Sequence, residues 1–146
     1  MHEVDEQITA INILSRRLTT YLDKVLAPLA LSASTYYFLI KIDQAGQLTQ
    51  DQLFQRVFLN PSNVTRRLDQ LTRQGLVERT PDPTDRRARI IRLTPAGQAR
   101  LPQIDQALRA ANATLFAGLS TAQTQTLQAA FAQISQNLDT TEVHDV

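Results

Sequence analysis

The chain has 146 residues, 42% of them apolar, with 15 basic and 14 acidic side chains and a formal net charge of +1. That length fits one compact domain, or a small domain with long helical extensions, and a lean apolar content in long apolar helices points to a core shared between subunits. No cysteine is present, which excludes a disulfide framework and thiol redox sensing, and the two histidines, His2 and His144, stand at opposite ends, so no metal-ligand spacing arises and no cofactor is implied.

The start, Met1-His2-Glu3-Val4-Asp5-Glu6, lacks the basic and apolar stretches of a signal peptide, and no apolar run approaches the ~20 residues needed to span a bilayer. A cytoplasmic location without membrane association is the expectation. A first helix is predicted from about Val4 to about Ala27. Ile8, Ile11, Leu14, Leu18, Tyr21, Leu22 and Val25 recur at steps of three and four, and Pro28 sits where the helix should stop. A second helix is expected over Ser34 to Asp43, capped by Ser32 or Ser34 and followed by Gly46. Tyr36, Tyr37, Phe38, Leu39, Ile40 and Ile42 make it apolar nearly all round, which predicts central burial. Thr49 reads as the cap of a short third helix, Gln50 to Val57, with Leu53, Phe54 and Val57 facing inward.

Asn60-Pro61 then reads as a cap followed by proline at the first helical position, and Gly75 as the residue just beyond the end of a fourth helix. Val64, Leu68 and Leu71 form its apolar seam. Leu76 to Thr80 is predicted as a strand, Pro81 to Arg87 as a loop, and Ala88 to Leu93 as a second strand. Thr94-Pro95 repeats the cap-plus-proline start and opens a helix to about Phe116, in which Pro102 predicts a kink or register break. After Gly118, Ser120 or Thr121 starts a last helix with Leu127, Phe131, Ile134 and Leu138 on one stripe, and the tail beyond Asp139 is expected to fray. The fold class that results is mainly α with a small two-stranded β-hairpin. Helix-turn-helix followed by a hairpin is the winged-helix plan.

The charge is unevenly placed. Between Arg56 and Arg92 nine arginines face Asp69, Glu78, Asp82 and Asp85, a local balance of +5, while the remainder carries −4. Arginine's planar fork suits phosphate and guanine better than lysine does. At 100° per residue, Leu68 and Leu71 lie within about 40° of Val64. The opposite pole of the fourth helix carries Ser62, Arg66 and Arg73, flanked by Asn63 and Thr65. Arginine can bind guanine by two hydrogen bonds, asparagine can bind adenine similarly, and Ser and Thr serve bases or phosphates. The loop from Asp82 to Arg87 puts two arginines and two carboxylates at a turn tip. That composition fits a wing whose arginine enters the electronegative minor groove, with Asp85 bracing an arginine. A plain polar surface and an ordinary turn are the bland alternatives, and position between two strands next to the basic helix weighs against both.

The runs Asn60-Pro61-Ser62-Asn63-Val64-Thr65-Arg66-Arg67-Leu68, Gln74-Gly75-Leu76-Val77-Glu78-Arg79, Asp82-Pro83-Thr84-Asp85-Arg86-Arg87 and Leu93-Thr94-Pro95-Ala96-Gly97 closely resemble the recognition helix, turn, wing and following helix start of the multiple-antibiotic-resistance-regulator (MarR) family. They match in order and without gaps. The resemblance implies a homodimer in which residues 1–30 and 95–146 form a helical dimerisation region and residues 31–94 a winged helix-turn-helix lobe. It implies a palindromic double-stranded DNA operator, with half-sites about one turn apart. Ser62, Thr65 and Arg66 would meet the major groove, and Asn63, Arg67 and Arg73 are further DNA-binding candidates on the same helix. Arg87 would be the minor-groove arginine, with Asp85 and Arg86 in support. Members are mostly repressors, many released by a small phenolic anion. Arg16 or Arg17 would pair with such an anion, and Tyr21, Tyr36 and Tyr37 would line its pocket or simply pack helices. Phe54 and Phe58 depart from the small residues common at those positions. Lack of cysteine excludes the family's thiol-oxidation mechanism, and lack of clustered histidine counts against zinc sensing. An enzyme is disfavoured because a Ser-His-Asp or Cys-His constellation needs a histidine away from the ends. A winged helix that binds another protein is the alternative reading.

Overall fold

The computed structural model describes residues 3–57 and 61–142. His2, Phe58, the Asn60 cap and His144 therefore lie outside the described residues. The elements in order are α1 (Glu3–Leu26), α2 (Tyr36–Ala45), β1 (Leu48–Thr49), α3 (Gln50–Val57), α4 (Pro61–Arg73), β2 (Val77–Pro81), β3 (Arg89–Leu93), α5 (Pro95–Leu115) and α6 (Thr121–Glu142). They fall into two compact units, Met1–Arg109 and Ala110–Val146.

Three helix starts follow local side-chain chemistry. Thr49 Oγ1 accepts the Gln52 N–H at 3.2 Å while Gln52 Oε1 accepts the Thr49 N–H at 2.9 Å, a reciprocal capping box that opens α3. Ser120 and Gln123 repeat it at α6, at 3.1 and 2.9 Å. Thr94 Oγ1 accepts the Gly97 N–H at 3.1 Å and Pro95 follows at the first helical position of α5. The second helix departs from expectation. It begins at Tyr36, and the Ser32 hydroxyl bonds Ser34 and Thr35 hydroxyls instead of a helix N–H. Thr35, fully buried, gives no side-chain cap either. The three hydroxyls satisfy one another, so the turn closes without a conventional cap.

The end of α1 is a 3-10 turn over Ala27–Leu29, with Ala30 in the left-handed region at φ 57°. α5 continues as helix through Pro102, so the expected register break does not occur. The sheet has three strands, not the two expected, in the order β1-β3-β2 and antiparallel throughout. The added strand is two residues long, Leu48 opposite Ile91 and Thr49 opposite Ile90. Two residues carry no periodicity, which is why only its capping role is legible in the sequence. In the hairpin Val77 faces Leu93 and Pro81 faces Arg89.

The core of the first unit sits between α2, α3, α4 and the sheet. Phe38, Leu39, Ile42, Leu53, Leu68, Leu71 and Ile91 are essentially inaccessible to solvent. Burial of α2 is one-sided: Tyr36, Tyr37, Ile40 and Lys41 are only partly covered. On α1 the anticipated apolar stripe divides. Leu22 and Leu26 are buried, whereas Ile8, Ile11, Leu14 and Leu18 stand exposed. In the second unit Phe131, Ile134 and Leu138 of α6 are exposed as well. Among the described residues no helix is long and apolar enough to cross a membrane.

Candidate nucleic-acid interface

α4 is held by its apolar seam. Val64, Leu68 and Leu71 are wholly buried, and the side chains half a turn away must then face outward. Ser62, Thr65, Arg66 and Arg73 are exposed, and Asn63 is half-exposed. Arg67 differs from the other five residues expected on this face. It flanks the seam, is half-buried, and its Nε is buried without a hydrogen-bond partner. Arg66 Nη2 donates to Asn63 Oδ1 at 3.1 Å. Adenine recognition by asparagine uses both the amide oxygen and the amide N–H, so an Oδ1 engaged this way leaves the pattern incomplete. Arg66 keeps its remaining N–H groups for guanine or phosphate. Gln50 Nε2 donates to Thr65 Oγ1 at 3.1 Å and thereby joins the start of α3 to α4.

The helix ends in a Schellman arrangement. Gly75 adopts φ +74°, its N–H reaches Thr72 O at 3.0 Å, and the Leu76 N–H reaches Leu71 O at 3.0 Å. The turn is clamped to the start of α5. Thr94 Oγ1 donates to Gly75 O at 2.5 Å, and the Thr94 N–H donates to Leu76 O at 3.1 Å. Gly97 is buried, and a Cβ there would overlap the Leu76 carbonyl oxygen. The glycine of the LT-x-x-G run thus lets α5 approach the turn closely. Gln74 Nε2 adds a bond to Ala30 O at 2.8 Å, which ties the same turn to the end of α1.

The hairpin loop is shaped by two aspartates. Asp82 Oδ1 accepts the Thr84 N–H at 2.9 Å and the Thr84 hydroxyl at 2.8 Å. Those bonds, the backbone one foremost, hold the Asp82 carboxyl below the usual aspartate range. Asp85 Oδ1 accepts the backbone N–H of Arg87 at 2.9 Å. Asp85 thus braces the main chain of Arg87, not its guanidinium as expected from the sequence. Arg86 and Arg87 are exposed at the tip. One ion pair crosses from hairpin to helix: Arg79 Nη2 of β2 lies 2.5 Å from Asp69 Oδ1 of α4. The residues are ten apart, and nothing periodic in the sequence marks them as partners. Thr94, Gly97 and Gln50 are not predicted as site residues by the sequence either, although the run Leu93-Thr94-Pro95-Ala96-Gly97 carries a signal for the first two.

The five candidate ligand residues separate into two groups. Arg16, Arg17 and Tyr21 share an open groove of about 340 Å³ along α1 with Thr20 and Lys24. Tyr36 and Tyr37 do not line it. They pack edge to face on α2 with ring centres 6.3 Å apart, and Lys41 Nζ lies 5.0 Å from the Tyr37 ring centre. Burial, with a smaller contribution from Tyr37, raises the Tyr36 hydroxyl pKa.

The MarR family description matches residues 31–88. The multiple antibiotic resistance protein MarR of Salmonella typhimurium is 32% identical over 96 residues, 66% of this chain and 67% of that protein. The HTH-type transcriptional regulator YhbI of Bacillus subtilis is 32% identical over 107 residues, 73% of this chain and 70% of that protein. A crystal structure of mutant MarR from E. coli complexed with operator DNA superposes with a TM-score of 0.84 at 26% identity, covering 90% of this chain and 95% of that one. With the basic helix, its clamped turn and the arginine-tipped hairpin in place, the chain belongs to the MarR family of transcriptional regulators.

Proposed function

We propose that this protein is a dimeric repressor that binds a palindromic double-stranded DNA operator in the cytoplasm and leaves it when a small phenolic or other aromatic anion binds. In this reading α4 lies in the major groove and the hairpin tip in the adjacent minor groove. The carrying observation is the face of α4, where Ser62, Thr65 and Arg66 are exposed in the same unit as Arg86 and Arg87 of the hairpin tip. The E. coli structure with operator DNA supports the same use of the fold. Residues 31–94 form the DNA-binding lobe, and residues 1–30 and 95–146 the dimerisation region. Exposed Ile8, Ile11 and Leu14 on α1 of the first unit, and Phe131 and Ile134 on α6 of the second, are apolar faces that a second copy would cover.

Arg16, Arg17 and Lys24 give the α1 groove three cations beside the Tyr21 ring, a chemistry that suits an aromatic carboxylate. The test of DNA binding is its salt dependence. Each neutralised phosphate contributes about −0.9 to the slope of log K against log salt concentration. A steep slope with duplex DNA is expected; a flat one would favour a winged helix that binds protein instead. For the effector, phenolic acids should raise the melting temperature and weaken DNA binding. No shift and no loss of binding would reject that part of the proposal.

A further inference from the structure

We infer that Arg79 is a positioning residue for DNA binding, acting through Asp69 to set the hairpin on α4 and to withhold that carboxylate from the DNA-facing arginines. The inference rests on the DNA-binding reading above. Asp69 lies three residues after Arg66 and four before Arg73 on α4. Those spacings ordinarily allow an intrahelical ion pair. Among the described residues, however, neither Arg66 nor Arg73 is ion-paired, and the Asp69 carboxylate turns across to Arg79 instead.

Placement of Arg79 explains the choice. It shares a face of β2 with buried Val77, two residues before it, and stands opposite fully buried Ile91 of β3. Its guanidinium therefore leaves the hairpin on the side that packs against α4. The two side chains are 26% and 47% exposed, so solvent screens the pair and its contribution to stability is small. Its contribution is geometric. α4 carries Arg66 and the hairpin carries Arg87, and the Arg79–Asp69 bridge ties together the two elements that must enter adjacent grooves at a fixed spacing. A bridge lost would release the hairpin and return a carboxylate to the neighbourhood of Arg66 and Arg73.

The discriminating variant is Asp69→Ala in the full-length protein, which removes both the charge and the acceptor, with a duplex enriched by the wild type from a random-sequence pool as probe. Charge alone predicts tighter binding, because a negative group next to phosphate is removed. The positioning role predicts binding looser by roughly fivefold despite that gain. Arg79→Gln should lose affinity similarly, and Arg79→Lys should retain most of it, since a single N–H···O contact can be remade by an ammonium. In the Arg79→Gln background the penalty of Arg87→Ala should shrink, because a hairpin no longer held in register gains less from its tip. Thermal melting of each variant reports folding separately. The Arg79→Lys and Arg79→Gln comparison carries the test should Asp69→Ala fail to fold. Asp69→Ala binding as tightly as wild type or tighter overturns the inference, as does an Arg87→Ala penalty equal in both backgrounds. A wild-type chain that enriches no duplex defeats the DNA-binding reading itself and this inference with it.

Discussion

Asn63 and Arg66 are bonded to each other, and under the proposed DNA-binding role that pairing bears on which base each would read. With Asn63 Oδ1 held by Arg66, the arginine is the group best placed for a two-point contact. Arg66→Ala should therefore cost roughly 1–3 kcal/mol of discrimination at one operator position, measured as the difference between matched and mismatched duplexes. Arg87→Ala should weaken all duplexes similarly and reduce the salt slope by about 1. Equal affinity of wild type and both variants would contradict the assignments. At the loop, the lowered Asp82 pKa has a definite pH consequence. The order contributed by its bonds to Thr84 is fully present above the ordinary aspartate pKa and is lost as pH falls through the lower folded value. The Thr84 amide resonance should thus titrate with a midpoint below that of an unperturbed aspartate; a midpoint at or above it would show that the bonds do not persist in solution.

Between elements, the decisive feature is the clamp that joins the end of α4 to the start of α5. Gly75, Leu76, Thr94 and Gly97 share it through two hydrogen bonds and one close approach. Gly97→Ala forces a methyl group against a backbone carbonyl, which no side-chain rotation relieves. A destabilisation of about 1–3 kcal/mol is expected, read by denaturant unfolding of the whole chain. An unchanged midpoint would mean that α5 can shift away from the turn at no cost. Because the same turn also bonds Ala30 at the end of α1, three helix ends meet at the base of the hairpin. That junction is where a displacement of α1 would reach α4, the helix proposed to enter the major groove.

At the level of the whole molecule, each of the two units exposes large apolar side chains. Ile8, Ile11, Ile13 and Leu14 are between 48% and 62% exposed, and Phe131 and Leu138 are 55% and 57% exposed, and the proposed dimer would cover them. Leu14→Glu should shift the protein toward monomer in sedimentation equilibrium and lower operator affinity, since two half-sites must be engaged together. The unfolding midpoint of the wild type should rise with protein concentration, as mass action requires of a dimer. A concentration-independent midpoint, with Leu14→Glu unchanged in mass, would assign this surface another purpose.

How much of this was legible in the chain alone depends on the range of the interaction. Apolar periodicity placed the seam of α4, cap and proline pairs placed the starts of α4 and α5, and the density of arginine placed the basic block, because each is a signal carried within a turn or two of its own residue. Long-range features were not legible in that way. The third strand, the reach of Asp69 to Arg79 past its own helical neighbours, and the seat of Gly97 against Leu76 all join residues that become neighbours only once the hairpin folds onto α4. The same holds for the division of the α1 stripe into buried and exposed halves. A repeat of leucines and isoleucines records that a face is apolar, and only the packed chain decides what covers it.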